Sequence, residues 1–428
     1  MENKFTSTNG IDIYSYLSPH IGAFSISLYL RYGLLYEGKD ENGFAHFFEH
    51  SIFRNISTLL DGKLYETLDR SGLYFNAHTY TDYIEFFITG APKHFKTAAE
   101  IICLTLSPIV MKRRELDTER RRIKAEILED DDEDSLNFFA DGIVYGGTPL
   151  ARTICGRPAD IDRYGINRLK SKRGEILTRE NMFFYIGGNF PENAPRMLSD
   201  IVSGYTVYSG KRRENSVPIP SGFCRRDCAV AVKNASSASV SISFDIPHEG
   251  FTIPEVYLLD DILFSGQNNP MYMELSEKNG LIYGFTTGTV CYGNLSVLNM
   301  TYEIQHGKLL KSIELVLGVF ASVKKLTEYY LPLVKTKYTE NLYTLLDDAG
   351  DISSAFGYTN HILGLGFSTL EERQSAFASV NAQRISRLAE KTIKSDNLVI
   401  AVKGNEKKID VSEIKNLARK ILDAPSNA

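Results

Sequence analysis

Residues 43–53, GFAHFFEHSIF, set His46, Glu49 and His50 into a run otherwise made of Phe, Ala, Ile, Gly and Ser. On a helical wheel the three ionisable residues share roughly 100° of arc and the apolar residues take the rest. One histidine on such a helix is most simply part of a wetted stripe. Two at i and i+4 are different, because their imidazoles lie one above the other and can share a single tetrahedral cation. Glu49 lies between them on the same face, where a carboxylate can accept a proton beside a metal.

A catalytic zinc takes three protein ligands and keeps a fourth position for water, so a third ligand is expected downstream. The segment RRELDTERRRIKAEILEDDDED puts Glu119 and Glu126 on the helical stripe of Leu116, Ile123 and Ile127, the side expected to face inward. Two fates are open to these carboxylates. They can pair with Arg122 as i,i+3 and i,i+4 surface ion pairs, or one can complete the site of His46 and His50. The H-x-x-E-H order is the inverted zincin arrangement, which favours the second fate. The acidic run Glu129 to Asp134 is expected to be a solvated helix end. Cys224 and Cys228, with no second pair and no nearby histidine, are expected to be ordinary thiols.

The elements that must position these residues follow from an internal repeat. AFSISLYLRYG, AHFFEHSIF and LYETLDRSGLYFNAHTYTDYIEFFITG are followed, after residue 235, by ASVSISFDIP, VYLLDDILF and MYMELSEKNGLIYGFTTGTVCYGNLSVLNMTYEI in the same order. Phe53 falls on Phe264, Leu68 on Leu275 and Gly72 on Gly280. The chain therefore reads as two divergent copies of one domain, joined within SGKRRENSVPIPSG, residues 209–222. This places domains at 1–212 and 223–428, with a linker at 213–222.

Within each copy FSISLYL and VSISFDI alternate as half-buried strands, the segments after Gly43 and Pro254 are helical, and YIEFFITG and LSVLNMTYE are strands. Long helical patterns run from about Arg113 to Asp132 and from Lys308 to Lys325. The expected class is α+β, each domain a mainly antiparallel sheet covered by helices.

Composition excludes several functions. The 428 residues are 43% hydrophobic and 24% charged, with a formal net charge of -5. Nothing in that balance neutralises phosphate, so neither nucleic acid nor an anionic membrane is an expected partner. No stretch has the length and apolarity of a membrane span, and MENKFTSTNG has no signal-peptide pattern. Five scattered cysteines suit a reducing compartment, and a cytoplasmic location is expected.

On these residues the chain resembles the M16 family of zinc metallopeptidases, the pitrilysin and mitochondrial-processing-peptidase-like group. HFFEH matches its H-x-x-E-H, and ERRRIKAE matches its E-x6-E helix at the family's spacing. GLYFNAHTYTDY and GGTPLARTICGRPADI are similar to the family segments that follow those helices. The resemblance implies two homologous α/β-sandwich domains in a half-size subunit. It implies Zn2+ held by His46, His50 and Glu126, with Glu49 as general base and Glu119 supporting the site. It also implies that Asn76 and Ala77, just ahead of an apolar strand, hold an extended substrate, for which the plainer alternative is a tight strand entry.

In the second copy Tyr257, Asp260 and Asp261 stand where His46, Glu49 and His50 stand, so zinc is not expected there. The family's second domain supplies an Arg and a Tyr to the substrate backbone. Tyr283 stands at the Tyr position, but Ser276 stands at that of the Arg, with Lys278 as a possible substitute cation. The implied protein is a zinc endopeptidase cutting peptides or unfolded segments enclosed in a clam-shaped chamber, for example in leader or precursor processing. The departure at Ser276 points to a heterodimer with a homologous subunit that supplies the Arg/Tyr pair, a homodimer being the other arrangement. The rival is a non-catalytic structural or peptide-binding subunit.

Overall fold

A computed structural model describes residues 1–129, 135–214, 216–217 and 238–424. The expected helix end at 130–134, part of the linker (215 and 218–222), and Cys224 and Cys228 lie outside the described residues.

The fold is α+β, with one sheet in each of two compact units. The first sheet is built from β1 (Asn3–Thr6), β2 (Asp12–Leu17), β3 (Phe24–Leu30), β4 (Tyr74–Thr79), β5 (Ile84–Gly90) and β6 (Met182–Gly188). Its order is β1-β2-β6-β3-β5-β4, parallel only between β2 and β6. β4 is therefore an edge strand. The helices of this unit are α1 (Phe44–Leu59), α2 (Leu64–Ser71), α3 (Phe95–Cys103) and α4 (Arg113–Glu129), followed after an excursion by Ile166–Ile176 and Ala194–Ser203. Phe44, Phe47, Phe48, Ile52 and Ile56 of α1 pack with Ile26, Leu28, Phe86 and Ile88 of the sheet, which is the apolar arc read from the helical wheel.

The expectation of half-buried strands needs correction for β3, in which all seven residues are buried. Its second face is covered by residues 342–370, contributed from late in the chain. Tyr29, Phe183 and Tyr185 pack there on Ile352 and Phe356, and Tyr29 Oη lies 3.0 Å from Ser353 Oγ. His361 stacks on Tyr14 and pairs with Glu2 at 3.2 Å.

The second unit takes residues 133–151 from early in the chain. They carry the helix α5 (Leu136–Val144), where Asn137 accepts a bond from Ser241 and Tyr145, just beyond, donates to Asp245 at 2.7 Å. Its sheet is antiparallel, ordered β11 (Leu398–Lys403), β7 (Ala238–Pro247), β10 (Leu295–Ile304) and β8 (Phe285–Thr287), with β9 (Val290–Cys291) also on β10. A boundary at 213–222 thus separates the two sheets but not the two units, since each half of the chain lends a segment to the other's sheet. The helices that matter below are Ile253–Phe264 and Val323–Thr339, which pack on each other as α1 packs on α4. Among the described residues no helix is long and apolar enough to cross a membrane.

Candidate metal centre

The start of α1 is fixed from outside the helix. Gly43 has φ 77°, in the left-handed region, and a Cβ there would lie 2.6 Å from the Cys155 carbonyl oxygen and the Gly156 Cα. No side chain of the preceding residue caps the helix. Instead the buried Glu37 carboxylate accepts the N–H of Gly43 at 2.9 Å and of Ala45 at 2.7 Å. Burial nevertheless pushes Glu37 up to about 8, against the pull of those two bonds.

One and two turns along, His46 and His50 bring their Nε2 atoms to 3.2 Å of each other. Glu126 closes the group from α4, with Oε1 at 3.5 Å from His46 Nε2 and Oε2 at 3.3 Å from His50 Nε2. Ligand atoms from the three residues all lie within 4.8 Å of one another. Tetrahedral zinc with bonds of about 2.0–2.2 Å would set its ligand atoms roughly 3.3–3.5 Å apart, so the spacing fits such an ion. The chemistry fits too. Two imidazole nitrogens and a carboxylate meeting at this distance repel unless a cation lies among them, and without a metal that cation is a proton. Burial pulls the His50 imidazole down, but Glu119 and Glu126 outweigh it and push it up to about 9. Bonds to His46 and His50 hold Glu126 well below the usual carboxylate range. His46 is 6% exposed, and its buried Nδ1 has no hydrogen-bond partner.

The other expected residues fall around this group. Glu119, buried on α4, sets Oε1 3.1 Å from His50 Nδ1 and Oε2 within 3.1 Å of the Arg54 guanidinium. Burial would raise Glu119, but His50 and Arg54 hold it below its ordinary value. Arg122, the alternative partner from sequence, approaches Glu119 only at 3.9 Å. Glu49 is 8% exposed and accepts a 2.8 Å bond from Thr79 Oγ1 on β4. Asn76 and Ala77 lie inside β4 rather than just ahead of a strand, and the Ala77 N–H donates to Asn76 Oδ1 at 2.9 Å. All of these residues except Arg54 line one cavity of about 660 Å3, together with Phe53, Tyr65, Tyr74 and Cys155.

Tyr283 belongs to the second unit and is fully exposed. Ser276 lies in the turn of helix Met273–Lys278, where Lys278 is tied to Glu274 at 2.8 Å. Arg54, Thr79 and Glu37 were not singled out from sequence. Arg54 alone left a signal, a cation one turn beyond His50 on the same face.

Similarity to known proteins extends over most of the chain. The family profile described as insulinase (peptidase family M16) matches residues 17–156, and that described as peptidase M16 inactive domain matches residues 166–338. An uncharacterized zinc protease of Bacillus subtilis is 21% identical over 403 residues, covering 92% of this chain and 97% of that protein. Subunit 1 of the bovine mitochondrial cytochrome b-c1 complex is 20% identical over 311 residues, covering 66% of this chain and 61% of the subunit. Among solved structures, a protease from Helicobacter pylori superposes with a TM-score of 0.79 at 19% identity, covering 94% of this chain and 99% of that one. A peptidase M16 inactive domain from Pseudomonas fluorescens gives 0.81 at 15%, covering 95% and 98%. Two family profiles in tandem, a zinc-protease relative matched over 97% of its length and the shared two-domain fold together make this chain a member of the M16 peptidase family.

Proposed function

We propose that this protein is a zinc-dependent endopeptidase acting on peptides or unfolded segments. The observation that carries this is the meeting of His46, His50 and Glu126 beside Glu49 in one cavity. Bound zinc would polarise a peptide carbonyl and make a coordinated water more acidic. The chain supplies the rest. Glu49, oriented by Thr79, accepts the water proton and returns it to the leaving amine. The free edge of β4 pairs with an extended peptide, whose carbonyl displaces Asn76 Oδ1 from the Ala77 N–H.

The peptide would be enclosed by a second, homologous subunit, in a cytosolic setting suggested by the scattered cysteines. With Ser276 at the Arg position and Lys278 engaged by Glu274, this chain supplies only Tyr283 of the expected pair. The partner would provide the Arg and Tyr, and the job would be leader or precursor processing or general peptide clearance.

A non-catalytic role draws support from the inactive-domain profile over 166–338 and from the likeness to a cytochrome b-c1 subunit. Against it stands Glu49, since a purely structural metal has no need of a carboxylate beside its ligands.

The deciding experiment is Glu49→Gln, assayed with a homologous partner subunit present. The variant should keep its zinc and its fold while peptide turnover falls about 10²–10⁴-fold. Undiminished turnover in a zinc-loaded variant removes the role given to Glu49, and wild-type protein that binds zinc yet cleaves nothing favours the non-catalytic role.

A further inference from the structure

Resting on the zinc reading above, we propose that Arg54 is a positioning residue for the metal, acting on His50 through Glu119. The three side chains form a continuous line. Arg54 Nε and Nη2 both contact Glu119 Oε2, at 3.1 and 3.0 Å, and Glu119 Oε1 meets His50 Nδ1 at 3.1 Å. Arg54 lies one turn after His50 on α1, so both ends of the line sit on one rigid helix and Glu119 bridges to it from α4.

A carboxylate held by a single imidazole can still rotate about its terminal torsion, which is broad and roughly two-fold. The guanidinium removes that freedom, because two N–H groups of a planar fork fix Oε2 and thereby aim Oε1 at Nδ1. With Nδ1–H directed at Oε1, the ring presents the bare Nε2 to His46 and Glu126. Partners of this kind behind a ligating histidine are worth about 10–100-fold in metal affinity. Arg122 cannot serve instead, at 3.9 Å and with a side chain 67% exposed.

The test is zinc affinity by chelator competition in wild type, Arg54→Gln, Arg54→Lys, Glu119→Gln and the Arg54→Gln/Glu119→Gln double variant, with urea unfolding of each metal-free form. Arg54→Gln should bind zinc about 10–100-fold more weakly. Arg54→Lys, which keeps the charge but loses the fork, should fall between. The double variant should be no weaker than Glu119→Gln alone, because both changes interrupt one line. Zinc bound as tightly by Arg54→Gln as by wild type, or losses that simply add, overturn the proposal. So does a loss of affinity matched by an equal loss of metal-free stability. Wild-type protein that binds no zinc overturns the underlying metal reading as well, which sets that failure apart from the others.

Discussion

The two halves of the chain use one helix-pair frame and fill its centre differently. The register that carries Phe53 to Phe264 carries Glu49 to Asp260 and His50 to Asp261, and on the helix packed against each, Lys337 approaches Asp261 as Glu126 approaches His50. In the first half two imidazoles and a carboxylate converge, each able to offer a lone pair to a cation. In the second, Lys337 Nζ sits 2.8 Å from Asp261 Oδ1, and the Tyr338 hydroxyl donates to Asp261 Oδ2 at 2.6 Å. A cation carried by the chain itself thus pairs with the acid at the His50 position, where the proposed reading of the first half would place zinc. Even the base position is kept in outline, since Thr289 donates to Asp260 at 2.6 Å as Thr79 donates to Glu49. Burial pushes Asp260 up to about 6. The lesson is that the helix pair can be kept without the His/Glu cluster, provided an ion pair within the chain takes its centre.

The largest effect expected from this contrast is on metal. His50→Ala or Glu126→Ala should reduce bound zinc from about one per chain to none and abolish peptide cleavage. Chelating the wild-type protein should speed amide hydrogen exchange in α1 and α4 while leaving Ile253–Phe264 and Val323–Thr339 unchanged. Exchange that rises alike in both helix pairs would show that the second half also depends on a metal, and the contrast would fail.

The helix starts differ as well, and the difference shows what sequence reveals. Ile253–Phe264 begins with a capping box in which Thr252 and Glu255 satisfy each other's backbone. Those two residues are three apart and can be read from the chain directly. α1 begins at a glycine capped by Glu37, a carboxylate that no local pattern connects with the helix. The same distinction runs through the site. His46, Glu49 and His50 were legible because helical geometry alone fixes their relation, whereas the stripe offered both Glu119 and Glu126 and only the resemblance to the family's spacing singled out Glu126. Thr79 comes from an edge strand, and the cover over β3 comes from residues 342–370, so neither could be placed without the tertiary fold. Arg54 was on the legible helix face, but its importance depends on where α4 puts Glu119.

Glu37 yields an intermediate effect, through pH. In the unfolded chain its carboxyl titrates in the ordinary range, whereas in the fold burial holds the proton up to about 8. The folded state therefore binds more protons between these values. Its contribution is present in full below the unfolded pKa and is lost as pH rises through about 8. Stability measured by urea unfolding should drop on the order of 2 kcal/mol from pH 6 to 9 through this group. Glu37→Gln, which keeps an acceptor oxygen but cannot ionise, should flatten that slope. An unchanged slope in the variant would assign the pH dependence to other groups.

The smallest effect sharpens the comparison most, because it tests whether Lys337 does the work of the ion. Asp261 is buried, while the Lys337 side chain is 56% exposed. Breaking a fully buried pair leaves an uncompensated charge and costs about 3–5 kcal/mol, whereas exposed pairs are worth about 0–1. With one partner on each side of that divide and Tyr338 still bonded to Asp261, Lys337→Met should cost about 1–2 kcal/mol. The loss should be the same with and without chelator, and zinc content should stay at that of wild type. Asp261→Asn/Lys337→Met, which removes both charges, should recover part of it, since no unpaired carboxylate then remains inside. A Lys337→Met protein as stable as wild type would mean that Tyr338 and packing hold the second helix pair, and that the ion's place there has simply been vacated.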